Sequence, residues 1–258
     1  SWDIACRVGN VDPRGYKLEV HEFDYQGENE VIFQENDVTI RSFPAIHGID
    51  GSVSFALEWN GLKFVFGSDT YPNKWFVEYA KDADLVIHEC FIAVPDLVNK
   101  MRFTPESALQ VGTQVHTAPE AFGKVMSLVK PRMAVAYHFF NDYDTSAAVH
   151  DRIRKTYDGP LSLAEDFMVW NVSKDDIGVR MAVTEERTWA PPLASPAQAP
   201  DPGDKAKYAD MQKMDVKDLQ FSDFTKSGYL DVDEVLRPIY QEASEAVGRE
   251  FPYPGDAK

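Results

Sequence analysis

Histidines recur at one kind of position in this sequence of 258 residues. His47, His88 and His138 each follow a short run of strand type, and His116 precedes a run of helical type. In sheets with parallel strands, side chains that follow the strands meet at one edge, where ligands bind. Imidazole is a common metal ligand and also exchanges a proton near neutral pH. These positions therefore predict a site for metal binding, acid–base chemistry or both at one sheet edge.

Two carboxylates accompany these histidines. Asp69 follows a strand-like run after a Gly-Ser pair, and Glu89 directly follows the histidine that ends another run. Imidazole and carboxylate groups together suit zinc, iron or manganese. Taken singly, each histidine is more often a structural residue than a ligand, and that alternative stays open for any one of them. We assign structural roles to His21, which lies among acidic residues, and to His150, which lies inside a helical stretch.

Strand and helix patterns alternate along most of the chain, which predicts an α/β layered domain. Period-two alternation and the turn dipeptide Asn60-Gly61 predict a strand at 38–43 and then a hairpin of strands 52–59 and 62–66. The other predicted strands are 85–87, 133–137 and 167–172, and the predicted helices are 75–81, 105–110, 117–129 and 145–157. Thr117 and Glu120 have the spacing of a helix capping box, with Thr117 as the N-cap.

The composition limits the classes of partner. The chain has 26 Lys and Arg against 42 Asp and Glu, a formal charge of −16, which argues against nucleic acid and against an anionic membrane. Cys6 and Cys90 provide neither a disulfide framework nor a cysteine-based zinc site. A hydrophobic content of 44% predicts a packed core. A small-molecule substrate remains compatible with this acidity, because one bound metal ion inverts the local field.

The C-terminal part of the chain differs in composition from the rest. Residues 190–204 are rich in proline and alanine, which predicts a stiff linker. This linker would separate a domain at 1–189 from a polar helical tail at 205–258.

One stretch of the tail fits the spacing of a twelve-residue calcium loop. It runs from Asp223 to Glu234, with Gly228 at the sixth position. Hydroxyl side chains replace two of the usual acids, and the sequence offers no second loop of this kind to pair with it. A helix–turn–helix that only caps the domain is therefore the favoured alternative.

A series of short motifs resembles the metallo-β-lactamase-fold hydrolases, and among them the ribonuclease Z-like branch. The resemblance covers roughly residues 38–173, and it is the order of the motifs that makes it specific. The motifs are His47, Phe66-Gly-Ser-Asp69-Thr, Ile87-His88-Glu89-Cys, His116-Thr, Ala136-Tyr-His138 and Ala164-Glu-Asp166 continuing to Asn171. The resemblance implies an αββα layered fold, of which this chain forms mainly the second half, with a helical C-terminal tail.

The same resemblance implies a site with two divalent metal ions. His47 would ligate the first ion, His138 the second, and Asp69 would bridge them; zinc is the expected metal, with iron or manganese as alternatives. His116 would donate a proton to the leaving group, oriented by Glu89. The helix that follows His116 would lower its pKa, and Glu89 would oppose that shift. The implied reaction is hydrolysis of an ester by a hydroxide that bridges the two metals.

The signature His-x-His-x-Asp-His loop of this superfamily does not occur in the sequence. Either the chain is the C-terminal portion of an enzyme completed by residues upstream of Ser1, or it is a degenerate, metal-free relative that acts as a binding or assembly subunit. The first interpretation is favoured because Asp69, His116 and His138 are all present. Its predicted partners are a small-molecule substrate and an N-terminal fragment or second copy of the chain.

The two-residue turn Asn60-Gly61 leaves no place for the basic exosite arm that ribonuclease Z enzymes carry between these strands. Together with the acidic charge, this disfavours processing of tRNA 3′ ends. A small ester-like substrate is favoured: a phosphodiester, sulfate ester, lactone or carboxylic ester. Five aromatic residues flank the predicted site and would either line an apolar pocket or serve as ordinary packing: Trp75, Phe76, Phe139, Phe140 and Tyr143.

Overall fold

The computed structural model describes residues 20–183 and 221–257. Its strands are β1 Glu30–Glu35, β2 Val38–Pro44, β3 Val53–Trp59, β4 Leu62–Gly67, β5 Leu85–Glu89, β6 Met133–Tyr137, β7 Leu161–Leu163, β8 Met168–Val172 and β9 Ile177–Met181. Its helices are α1 Lys74–Tyr79, α2 Val94–Asn99, α3 Pro105–Gln110, α4 Pro119–Val129, α5 Tyr143–Ile153, α6 Asp223–Ser227 and α7 Asp233–Val247. A π-turn at Val111–Val115 extends α3. The predicted α/β layered fold is confirmed. None of the described helices is long and apolar enough to cross a lipid bilayer.

The first seven strands form one mixed sheet in the order β1 to β7. Strands β1 to β4 pair antiparallel, whereas β4, β5, β6 and β7 pair parallel. Since β3 runs opposite to both β2 and β4, the strands β2, β4, β5 and β6 share one direction. Their carboxyl ends therefore lie at the same edge of the sheet, which is the edge that the histidine positions require.

The hairpin of β3 and β4 is the one that the sequence predicts. Asn60 and Gly61 both have positive φ angles, 52° and 71°, as a tight two-residue hairpin turn requires. The register that follows pairs Ala56 with Val65, Val65 with Val86 and Val86 with Ala134. This row is buried in one core cluster together with residues of α1 and α4.

The opposite face of the sheet is also apolar. Because successive strand residues alternate between faces, the neighbours of the buried row point away from the helices. Phe64, Phe66, Leu85 and Ile87 line an apolar groove of about 380 Å³ there. Phe66 is 43% exposed, and within the part of the chain that the structure describes this groove is open to solvent.

The C-terminal segment packs into the same core as the sheet and is not a separate polar tail. Val232, Leu236, Ile239 and Tyr240 of this segment are buried in the main cluster. The helix α7 contacts α2, α3 and α4. Gly228 lies so close to the Trp75 ring that a Cβ at this position would overlap it. The linker predicted at 190–204 and the start of the predicted tail lie outside the described residues.

The stretch from Asp223 to Glu234, which has the spacing of a calcium loop, does not have the conformation of one. Its first five residues are the helix α6, in which the Thr225 hydroxyl donates to Asp50 Oδ1 at 2.6 Å. Glu234 pairs with Lys124. Gly228 has an ordinary right-handed backbone, so the sharp turn of a calcium loop is missing as well. This stretch is the helix–turn–helix cap that was the favoured alternative.

The capping box predicted at Thr117 and Glu120 is wrong. The N-cap of α4 is Ala118, which makes no side-chain cap hydrogen bond. The Thr117 hydroxyl donates instead to the carbonyl of Thr70 at 2.6 Å, and Glu120 accepts from Arg152 at 2.8 Å. Both side chains are used for tertiary contacts, and a proline at the first turn of the helix removes one donor that a cap would serve.

Candidate metal centre

Five side chains converge at the carboxyl edge of the sheet. His47 follows β2, Asp69 follows β4, Glu89 ends β5 and His138 follows β6, while His116 ends the π-turn before α4. His116 lies between the other two imidazoles, with ring centroids 4.9 Å from His47 and 5.1 Å from His138. The shared direction of four strands thus brings together residues up to 91 positions apart in the sequence.

Two overlapping groups of donor atoms result. One group consists of His47, Glu89 and His116, and the other of Asp69, His116 and His138. Within each group the nitrogen and oxygen donor atoms lie within 4.8 Å of one another. Among the described residues these are the two clusters with the composition and spacing to hold a metal ion. The assignment of His47, Asp69 and His138 as ligands stays a prediction, and the structure adds His116 as a member of both groups.

Glu89 anchors the centre of the cluster. Its side chain is fully buried, its Oε2 lies 2.9 Å from His116 Nδ1, and it accepts a hydrogen bond from the Thr70 backbone N–H. Burial raises the pKa of Glu89 well above its usual value. Burial lowers the pKa of His116 to about 4, and the nearby Asp69 carboxylate opposes this shift only in part. The pKa of His116 is therefore lowered by desolvation, and the acid that opposes the shift is Asp69.

His138 is one of nine described residues other than glycine that have a positive φ angle. It follows β6 with a φ angle of 77°, in the left-handed region that favours glycine. Its Nε2 lies 3.3 Å from Asp69 Oδ2.

The donor set fits a divalent metal ion. The Nδ1 atom of His47 is buried and has no hydrogen-bond partner among the described residues. Burial, followed by the neighbouring His116, lowers the pKa of His47, so its ring stays neutral and able to donate a lone pair. Zinc, iron and manganese all accept such a mixture of imidazole and carboxylate ligands.

Sequence reasoning missed Phe91, which borders two of the candidate histidines. Its ring stacks on His116 with centroids 4.1 Å apart and an interplanar angle of 10°, and lies 5.5 Å from His138. The signal available in the sequence was an aromatic residue two positions after Glu89, in the segment that follows β5. Of the flanking aromatics, Trp75 and Phe76 are buried in the hydrophobic core.

His88 belongs to the core and not to the metal cluster. It is fully buried, and its ring lies 4.4 Å from Phe76 and 5.9 Å from Phe122. Its Nδ1 is 2.6 Å from the Glu89 carbonyl oxygen, and burial lowers its pKa to about 4. The neutral ring is thus part of the folded state.

We expect His88 to make the metal-free protein sensitive to mild acid. Below pH 6.5 the unfolded chain takes up a proton that the folded chain refuses until the pH approaches 4, so stability is lost as the pH falls through this window. Between pH 7 and pH 5 the loss attributable to His88 is about 2 kcal/mol. Urea unfolding at both pH values should show that His88→Gln loses correspondingly less stability than the wild type. Equal losses in the two proteins would show that His88 does not cause the acid sensitivity.

Part of the chain is similar in sequence to a protein of known family. No family model matches the chain. Over 117 residues, which are 45% of this chain and 34% of the other protein, it is 30% identical to a ribonuclease Z of Haloarcula marismortui. This similarity to a ribonuclease Z agrees with the resemblance that the sequence motifs indicate. The chain spans about a third of the length of this ribonuclease Z relative.

Solved structures with related folds match about half of the chain. The metallo-β-lactamase fold protein YhfI from Bacillus subtilis has 16% identity and a TM-score of 0.42, covering 54% of this chain and 51% of its own. Human short-form tRNase Z has 21% identity and a TM-score of 0.37, covering 55% of this chain and 46% of its own. Zn²⁺-bound PqqB from Methylobacterium extorquens has 13% identity and a TM-score of 0.37, covering 54% and 49%.

Proposed function

We propose that this chain carries part of the active site of a metal-dependent hydrolase that acts on a small ester-like substrate. The observation that supports this most directly is that His47, Asp69, Glu89 and His138 meet around His116 at one sheet edge. His47, Asp69 and His138 would hold the metal ions. Bound divalent ions would supply Lewis acidity and activate water for attack on a phosphodiester, sulfate ester, lactone or carboxylic ester.

His116 would act as the proton donor to the leaving group. Its Nδ1 lies 2.9 Å from the buried Glu89 side chain, so Nε2 is the ring nitrogen left to exchange a proton with substrate. Because burial lowers the pKa of His116, Nε2 would first have to take up a proton before it could pass one to the leaving group. Glu89 is held in turn by the Thr70 backbone N–H. This arrangement fixes the orientation of the imidazole and favours one tautomer, as efficient proton transfer requires.

The experiment that tests the proposal is metal analysis of the purified, intact gene product after incubation with zinc and removal of free ions. About two ions per chain, with hydrolysis of simple esters that a chelator abolishes, would support it. No bound metal would instead support the alternative, a metal-free relative acting as a binding or assembly subunit. A precursor tRNA should be included as substrate, because its cleavage in preference to small esters would restore the nuclease alternative.

A change at His116 separates proton donation from metal binding. We expect His116→Ala to keep most of its metal while its kcat falls by roughly 10²–10⁴-fold, the usual contribution of a general acid. Metal content by mass spectrometry and kcat with an ester that has a poor leaving group are the two measurements. An ester whose leaving group needs no proton should be affected much less. If the metal content falls as far as the activity, His116 is a ligand and not the donor.

A further inference from the structure

A small apolar cavity adjoins the candidate metal centre. It has a volume of about 230 Å³ and lies between the segment that joins α2 to α3 and the segment that follows β6. Its walls include Phe91, Met101, Phe103, Phe139 and Phe140 together with two aliphatic side chains, and His138 is its one polar wall. No acidic side chain, lysine or arginine lines it among residues 20–183 and 221–257.

Two contacts make this cavity continuous with the candidate metal centre. His138, a predicted metal ligand, forms part of its wall. Phe91, another wall residue, stacks on His116 and lies near His138 as well. A group bound in the cavity therefore lies directly beside the two imidazoles that the proposed function assigns to the metal and to proton transfer.

The size and chemistry of the cavity select the kind of group that it takes. An apolar cavity of about 150 Å³ is large enough to bind benzene, so this one accommodates one substituted ring. Four phenylalanine side chains offer ring faces and edges to an aromatic guest, an arrangement that stabilises aromatic pairs beyond their burial alone. An ionised group would be left unpaired among these walls, which disfavours it.

We propose that the cavity binds the aromatic substituent of the substrate. The substrate class is then an aryl or benzyl ester whose ring carries no charged group. This inference rests on the proposed function, since it places the scissile ester beside His116 and His138. The cavity then determines specificity: it selects for the ring, while the metal centre and His116 act on the ester bond. Tyr143, which is 89% exposed, and the core residues Trp75 and Phe76 take no part.

The test compares a variant whose larger side chain fills the cavity with a variant that carries the same substitution elsewhere on the surface. Met101 lines the cavity and is 40% exposed. Leu128 is equally exposed, at 41%, but lies near the C-terminal end of α4. The neighbouring Val129 carbonyl accepts a hydrogen bond from the Asp82 N–H, which places this end of α4 near the start of β5 and away from the cavity. The variants are Met101→Trp and Leu128→Trp in the full chain, each checked for folding by circular dichroism. Phe140→Ala, at a position 53% exposed, is a second variant that removes a wall without adding bulk.

Binding is measured without catalysis, by fluorine NMR of para-fluorobenzyl alcohol added to metal-free protein, with fluoroethanol as the probe that lacks a ring. We expect the aromatic probe to bind the wild type and Leu128→Trp equally, and Met101→Trp and Phe140→Ala about tenfold more weakly or not at all. Unchanged binding in both cavity variants overturns the proposal, as does equal loss in Leu128→Trp.

Kinetics of the metal-loaded, intact gene product provide the second measurement. A benzyl ester should be preferred over the corresponding methyl ester by about tenfold or more in kcat/KM, and Met101→Trp should remove this preference. Ring binding without any hydrolysis would mean that the proposed function fails while the cavity assignment holds. Hydrolysis without ring binding or preference would mean the reverse.

Discussion

Asp69→Ala is expected to abolish both bound metal and ester hydrolysis. Asp69 is the one carboxylate in the donor group that it forms with His116 and His138, and its Oδ2 lies 3.3 Å from His138 Nε2. Without it, the imidazoles of His116 and His138 are the donors that remain in this group, and no anionic ligand is left in it. We expect activity to fall by much more than the roughly 10–100-fold that loss of a group outside the ligand shell costs.

The loss in Asp69→Ala should not result from unfolding. Asp69 is about one-third exposed, and its negative charge contributes to raising the pKa of Glu89, so its removal relieves a repulsion between acids. Asp175→Ala, at an exposed aspartate in the β8–β9 turn, is the matched control and should keep its metal and activity. Metal content by mass spectrometry decides the matter, because an unchanged value in Asp69→Ala refutes the ligand assignment.

Leu236→Ala in α7 is expected to destabilise the entire described fold and not a tail alone. Leu236 is 1% exposed and belongs to the same cluster as the buried row of the central strands. Removing its side chain leaves a cavity in a core that cannot fully collapse, which costs about 2–5 kcal/mol. Denaturant unfolding followed by circular dichroism should show a single transition with a lower midpoint.

Val247→Ala is the control for this prediction in the same helix. Val247 is 48% exposed, so its truncation should change the unfolding free energy by less than about 0.5 kcal/mol. The independent-tail interpretation makes a different forecast for Leu236→Ala, namely an early minor transition followed by a main transition at the wild-type midpoint. Such a result would separate the C-terminal segment from the core.

The edge of the sheet at which the candidate site lies could be predicted from the sequence, because local sequence patterns determine the directions of the strands that form it. Period-two strands and the Asn60-Gly61 turn fix the direction of β2, β3 and β4, and direction alone brings His47 and Asp69 to one edge. The contact between Glu89 and His116 was foreseen from the family resemblance. The presence of His116 in both donor groups was not, because it depends on distances that only the folded chain defines.

The failures of prediction come from tertiary contacts that override local signals. Thr117 has a capping sequence, but its hydroxyl is used by Thr70, which lies 47 residues away. The C-terminal helix seemed polar on average, although Val232, Val235, Leu236, Ile239 and Tyr240 follow helical spacing and form its buried stripe. Periodicity in this helix would have been the better guide, because burial depends on one face of a helix and not on its mean composition.

Among the described residues one face of the large sheet is apolar and open to solvent, so the salt concentration should control how strongly copies of this chain associate. In dilute buffer the net charge of −16 keeps copies apart by long-range repulsion. At physiological salt the Debye length shrinks to about 8 Å, and repulsion then acts only near contact. The attraction between apolar surfaces does not weaken in the same way, and salts such as sulfate strengthen it. Added salt should therefore favour self-association through the groove that contains Phe64 and Phe66.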